Sequence, residues 1–201
     1  VKVDDKSNEI TAIPQLLQAL ALQGCIVTID AMGCQKDIAA QIVDKKANYV
    51  LALKGNHATI HQEIGEFFAD AVQPCAEKAD STVAPKTMTS LKTMEKDHGR
   101  IETRRYWQSN DIEWMQDKKR WKNLRTIGMV ESIRRVKGNN SIERRYYLAS
   151  LPLDINTFAK AVRGHWGVEN QLHWSLDVTF NEDQSRARSK NAAQNLATLR
   201  R

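Results

Sequence analysis

The chain has only three cysteines, Cys25, Cys34 and Cys75, and no Cys-x-x-Cys pair. An odd number without paired spacing argues against a disulfide frame or a zinc knuckle and fits free thiols in a reducing cytosol. No apolar run approaches the ~20 residues that cross a bilayer, and Val1–Asp5 soon turns polar, so no signal peptide is expected. Internal repeats and low-complexity tracts are also missing, which argues against a solenoid or a disordered linker protein. The expectation is a cytoplasmic protein with no membrane partner, its 201 residues enough for one core and an inserted subdomain.

What is present is ordinary in amount and unusual in placement. Hydrophobic content is 41% and charged content 27%, with a net charge of +6. From Arg100 to Arg145 there are thirteen Lys/Arg and six Asp/Glu, whereas the remainder holds seventeen basic and eighteen acidic residues. All the excess positive charge therefore lies in one segment. That segment is either a solvated basic face or a surface for phosphates, because clustered cations release counterions from DNA.

Periodicity divides the chain. Ile13, Leu16, Leu17 and Leu20 recur at helical spacing, with Thr11 as a cap and Pro14 in the first turn. Cys25–Ile29 is a continuous apolar run, the mark of a strand buried on both faces, and it ends at Asp30. A second helix carries Ile38, Ala39, Ile42 and Val43. Tyr49–Leu53 is a second buried strand, and a third helix carries Ile60, Ile64, Phe67 and Phe68. This order predicts a parallel pair within an α/β sheet. Gln73 to Glu95 has no clear period and reads as a loop. Arg100–Trp107, Thr126–Val136 and Ser141–Ser150 alternate as antiparallel strands, with Lys137-Gly-Asn-Asn140 as a turn. Asp154 caps a helix running to about His173, and another helix starts near Ser189. The domains expected are residues 1–72, the first part of an α/β domain; 73–150, a linker and basic β-rich insertion; and 151–201, the second part.

Two carboxylates stand out. Asp30 ends a buried strand, where open α/β sheets bind ligands, although it could also cap the next helix. Glu169 lies on the same helical stripe as Phe158, Val162, His165 and Leu172. A carboxylate on an apolar face needs a compensating metal ion or a salt bridge. Converging carboxylates suit hard cations such as magnesium or manganese. A pair of such ions clamps both the attacking and the leaving oxygens of a phosphodiester. A third possibility is zinc on His165, Glu169 and His173, at successive i, i+4 positions of one helix.

Several blocks stand in a fixed order: Val27-Thr-Ile-Asp-Ala-Met-Gly-Cys-Gln35, Leu51-Ala-Leu-Lys-Gly-Asn56, His98-Gly-Arg-Ile-Glu102 and Arg163-Gly-His-Trp-Gly-Val-Glu-Asn170. Leu172-His-Trp174, Asp177-Val178 and Glu182-Asp-Gln-Ser-Arg186 follow. Over essentially the whole chain they resemble bacterial insertion-sequence transposases that include the H-repeat-associated proteins. The resemblance implies a ribonuclease-H-like mixed sheet with flanking helices, interrupted by a β-rich insertion. It implies an Asp, Asp, Glu triad, with Asp30 as its second Asp and Glu169 as its Glu. It also implies magnesium-dependent (or manganese-dependent) cleavage and joining of double-stranded DNA at transposon ends and target, by a possible homodimer associated with the nucleoid.

The same resemblance places the first triad Asp on a strand earlier than any in this chain, since Lys6-Ser-Asn-Glu-Ile10 matches the stretch after the third strand. Between Asp5 and Asp30 there is room for one helix and one strand only, so neither Asp4 nor Asp5 takes that place. The expectation is a fragment that does not transpose DNA alone, with an unpaired edge at Ile26–Ile29. A non-catalytic DNA-binding remnant is the alternative. The wider clan's Arg four before the Glu and Lys seven after it are here His165 and Leu176. Arg163 and His165 are candidates for similar DNA contacts. The cations expected to meet phosphates are Arg100, Arg104, Arg105, Lys118, Lys119, Arg120, Arg134, Arg135, Arg144 and Arg145. Of Trp107, Trp114, Trp121, Trp166 and Trp174, most are expected in the core and one against an unstacked base.

Overall fold

A computed structural model of the chain describes residues 9–72, 87–97, 100–136, 139–167, 186 and 195–196. Among the described residues the helices given full bounds are α1 (Glu9–Ala19), α2 (Lys36–Asp44), α3 (Ala58–Ala71) and α4 (Ile155–Gly167). Six strands are β1 (Ile26–Ile29), β2 (Asn48–Leu53), β3 (Met88–Asp97), β4 (Arg100–Ser109), β5 (Thr126–Val136) and β6 (Asn139–Ala149). They form one mixed sheet in the order β1-β2-β6-β5-β4-β3.

β1 and β2 are adjacent and parallel, as the helix–strand–helix–strand order predicts, with Ile26 opposite Asn48 and Ile29 opposite Leu51. β2 then pairs antiparallel with β6, Val50 facing Ala149. The β-rich stretch is an interruption in sequence, yet in space it continues the sheet that β1 and β2 begin. β2 is buried on both faces, as its apolar run requires. β1 is not: it is an edge strand among the described residues, Ile26 is 39% exposed and Val27, Thr28 and Ile29 are half-buried. An apolar run reports composition and is blind to whether a strand has one neighbour or two.

Two further expectations are corrected. Met88–Glu95 belongs to β3, not to a loop, and pairs along its whole length with β4. At the sheet edge the strand exposes Ser90, Lys92, Met94 and Glu95. Its order comes from backbone pairing that no side-chain period announces. The first helix begins at Glu9, so Thr11 lies within it and Pro14 is its sixth residue rather than first-turn. Proline removes the bond its own nitrogen would make to the carbonyl four residues back, which does not stop a turn from forming ahead of it.

The sheet has a core on each face. On one, Leu17, Ile38, Ile42, Ile60, Ile64 and Phe68 from α1, α2 and α3 pack against Tyr49, Leu51, Ile127 and Leu148, joined by Ile112, Met115 and Trp121 of the β4–β5 connection. On the other, Phe158, Ala159 and Val162 of α4 pack on Val50, Tyr106, Val130 and Tyr147. Gly128 of β5 permits this close approach, since a Cβ there would lie 2.3 Å from the Phe158 ring. Asp154 caps α4 as expected. Its Oδ1 accepts from the N–H groups of Asn156 (3.0 Å) and Thr157 (3.3 Å), and its Oδ2 from the Thr157 hydroxyl at 2.6 Å. These bonds, that of the Thr157 hydroxyl first, hold the Asp154 carboxyl below its ordinary range.

Candidate metal and nucleic-acid site

Asp30 lies at the carboxyl end of β1, where the chain turns toward α2. Its Oδ1 accepts from the N–H groups of Met32 (3.1 Å) and Gly33 (3.4 Å), closing a turn on its own backbone. The helix-cap alternative is thereby answered: Gln35 is the N-cap of α2 and makes no side-chain cap bond. Asp30 is exposed, and no cation pairs with it among the described residues. Its donor set suits a hard divalent cation, because Oδ1 is fixed by the turn while Oδ2 has no hydrogen bond among those residues. No group of three or more His, Cys, Asp or Glu able to hold a metal occurs among the described residues, so Asp30 would need ligands from beyond them. Cys34 is unsuited to metal binding, because burial pushes its thiol up to about 12.

The turn is tied to its neighbour. β2 ends beside β1, and a 3-10 turn at Gly55–His57 follows it. Asn56 Nδ2 donates to the Ala31 carbonyl at 2.6 Å, and His57 Nε2 lies 2.6 Å from the Cys34 carbonyl. Sequence reading missed both residues. The sequence signal that could have found them is the block Leu51-Ala-Leu-Lys-Gly-Asn56, which ends a strand at Asn56 with His57 next to it.

α4 reaches β1 through His165, whose Nδ1 lies 3.2 Å from the Thr28 hydroxyl. A cleft of about 370 Å³ separates the two elements, lined by Ile26 and Thr28 from one and Thr157, Lys160, Gly164 and His165 from the other. Glu169 lies outside the described residues, as do His173, Asp177 and Trp174. The structure therefore brings His165 to Thr28, two residues before Asp30 in sequence, and describes α4 as far as Gly167.

Most of the expected phosphate contacts prove to be paired with carboxylates. Glu102 and Glu131, only 5% and 6% exposed, each sit between two arginines. Glu102 holds Arg104 at 2.8 Å and Arg134 at 3.1 Å; Glu131 holds Arg144 at 2.9 Å and Arg105 at 3.5 Å. Register explains the sets: Glu102 stands opposite Arg134, and Arg105, Glu131 and Arg144 form one row across β4, β5 and β6. Arg104 and Arg105 thus face opposite sides of the sheet, as consecutive strand residues must. Glu95 binds both Arg104 (3.0 Å) and Arg163 (2.8 Å), fastening α4 to β3. Arg145 pairs with Glu143, Lys118 with Glu113 and Arg120 with Asp117. Lys119 is exposed and makes no ion pair among the described residues, and the side chains of Arg100 and Arg135 lie outside them.

The tryptophans separate by environment. Trp121 is 2% exposed, hence core. Trp166 carries the Arg145 guanidinium 3.9 Å from its ring centre, so one face is taken. Trp107 is half-buried against the first core, and Trp114, 37% exposed, stacks on Phe67 at 5.3 Å. Among the described four, Trp114 presents the most open ring.

Residues 1–200 match the family described as "Transposase DDE domain". The chain is 44% identical over 205 residues to "Putative transposase YncI" of Escherichia coli O157:H7, covering all of this chain and 50% of that protein. It is 38% identical to "H repeat-associated putative transposase YhhI" of Escherichia coli strain K12, covering all of this chain and 52% of that one. A Xanthobacter autotrophicus protein named "Uncharacterized protein in dhlA 3'region" is 43% identical over 153 residues, 76% of this chain and 48% of its own length. The chain spans about half the length of these curated relatives.

Proposed function

The chain belongs to the transposase DDE domain family, and on that premise we propose that it supplies two of the metal-binding carboxylates, Asp30 and Glu169, for cleaving and joining DNA at the ends of a mobile element. Its mixed sheet with flanking helices is consistent with a ribonuclease-H-like transposase fold. The observation that carries the reading is the 3.2 Å contact between His165 and Thr28. Glu169 is four residues past His165 in sequence, two beyond the last described residue of α4. Asp30 is two residues past Thr28, about 6–7 Å along a strand. One contact therefore brings the helix leading to the Glu beside the strand ending in the Asp.

Bound magnesium or manganese ions would stabilise charge on both oxygens of the phosphodiester being exchanged. Asp30 offers an oxygen whose direction its own turn fixes, and Glu169 would offer the second carboxylate. His165 holds the two supporting elements together. The arginines of β4–β6 meet phosphates with guanidinium groups already oriented by Glu102 and Glu131, and so set the position of the duplex rather than its sequence. The setting is a bacterial cytoplasm, on chromosomal DNA. In a complete protein containing this chain, Asp30→Ala and Glu169→Ala are each expected to abolish metal-dependent cleavage and leave DNA affinity within about twofold, because carboxylates serve the metal and cations serve the phosphates. Cleavage by Glu169→Ala at the normal rate would refute the assignment.

A further inference from the structure

We infer that Asn56 and His57 are positioning residues for Asp30: they clamp the turn that aims its carboxylate, from a neighbouring strand. The inference rests on the reading of Asp30 as a metal ligand and concerns what makes that ligand rigid.

Asp30 is exposed and follows a strand that is at the edge of the sheet among the described residues, so little beyond its own turn and the neighbouring strand's end restrains it. Its Oδ1 is fixed only while the Met32 and Gly33 N–H groups converge on it. That convergence depends on the path from Ala31 to Cys34. The Cys34 N–H closes the path internally on the Ala31 carbonyl at 3.3 Å. The Asn56 amide then takes the same Ala31 carbonyl at 2.6 Å, and the His57 ring takes the Cys34 carbonyl at 2.6 Å. A carbonyl only accepts, so His57 donates from Nε2. The turn is thus held at both ends by consecutive residues of one 3-10 turn.

The clamp itself is anchored. The His57 ring meets Trp121 edge-on at 5.4 Å, and Trp121 is core. Lys36, the first residue of α2, pairs with Asp117 at 3.0 Å and lies 5.9 Å from the Trp121 ring centre. From the other side Gly33 sits against Ile29 and Ile13, where a Cβ would come within 2.3 Å and 2.8 Å of their side chains. Packing fixes the middle of the turn and the two hydrogen bonds fix its ends. Asn56 and His57 reach backbone atoms of the turn, so their effect on a metal is through Asp30.

The test uses the 201-residue chain, isotope-labelled, with manganese as the probe. Manganese at Asp30 broadens the amide resonances of Met32 and Gly33, giving an affinity without any turnover. Asp30→Asn keeps the shape and loses the charge, and is expected to remove the broadening. Asn56→Ala and His57→Phe are expected to shift the Met32 and Gly33 resonances of the metal-free protein. They should also weaken manganese about five- to tenfold, the effect of one lost hydrogen bond. His57→Gln keeps a donor and is expected to restore near-normal affinity, which a purely structural role of the ring would not allow. Should Asn56→Ala fail to fold, Asn56→Gln, which displaces the amide by one methylene, carries the same expectation. Unchanged resonances and affinity in both donor-deleted variants, with Asp30→Asn still abolishing the broadening, would overturn the clamp and leave Asp30 as a ligand. Broadening that survives Asp30→Asn would overturn the reading of Asp30, and the clamp with it.

Discussion

The acids at the end of β1 and those within the outer sheet sit in opposite settings. Asp30 is exposed, is hydrogen-bonded only by its own turn, and meets no cation among the described residues. Glu102 and Glu131 are buried, each between two arginines. A carboxylate occupied by guanidinium groups stabilises a sheet and has little left for a metal. One whose outer oxygen is unclaimed contributes little to stability and is available for chemistry. Burial of an acid therefore marks structure here, and exposure at a strand end marks the candidate site.

That contrast breaks most readily at Asp30. Asp30→Ala in a complete protein is expected to abolish metal-dependent cleavage while lowering stability by only about 1 kcal/mol, the worth of the turn bonds its Oδ1 accepts. A denaturation curve beside a cleavage assay reads both. Glu102→Ala is expected to do the reverse. It takes from Arg104, whose side chain is only 13% exposed, the nearer of its two carboxylates and leaves it Glu95 alone at 3.0 Å. A fully buried pair loses ~3–5 kcal/mol when one partner goes; with Arg134 41% exposed and partly screened, about 2 kcal/mol is expected. A urea midpoint unchanged by Glu102→Ala would show that the buried acid is not structural.

Gly128→Ala connects the two regions. The added methyl meets the Phe158 ring at 2.3 Å, so α4 must shift on the sheet. A loss of about 1–3 kcal/mol is expected. Weaker cleavage should accompany it, because α4 also carries His165 to β1; unaltered cleavage would show that α4 docking does not set the site.

Smaller effects concern the cations. Ten free cations would give a slope near −9 for log affinity against log salt. With Arg104, Arg105, Arg134, Arg144 and Arg145 already engaged by glutamates, a clearly shallower slope is expected in DNA-binding titrations. The smallest effect belongs to Asp154. Its carboxyl titrates lower in the folded state than its ordinary value, so its contribution is present above that value and is lost as pH falls through the folded one. Asp154→Ala should lower the melting temperature by a few degrees at neutral pH and by less near pH 2.

The parallel pair, its order and three of its helices were legible because buried apolar runs and helical stripes are local and strong. Asp30 was legible as a candidate because an apolar run ending in a carboxylate is a sequence feature, and the family blocks around it are specific. β3 was not, because its order comes from pairing with β4 while its side chains at the edge alternate only weakly. The true place of the charge was also hidden. Thirteen cations against six acids read as a free basic surface until register placed Glu102 and Glu131 between arginines from neighbouring strands.

Sequence by itself determined the class of sheet, the helix cap at Asp154 and the family, and it nominated Asp30 and Glu169 as the carboxylates proposed for its chemistry. Those are properties of spacing along one chain, where residues two, three or four apart share a face whatever surrounds them. Only the tertiary structure decided that β6 lies against β2, that β1 is an edge among the described strands, that the arginines are gripped, and that Asn56 and His57 bond to the Asp30 turn. Each is a meeting of residues from separate elements. Sheet register sets such meetings, and a shift of one residue would turn every side chain to the other face.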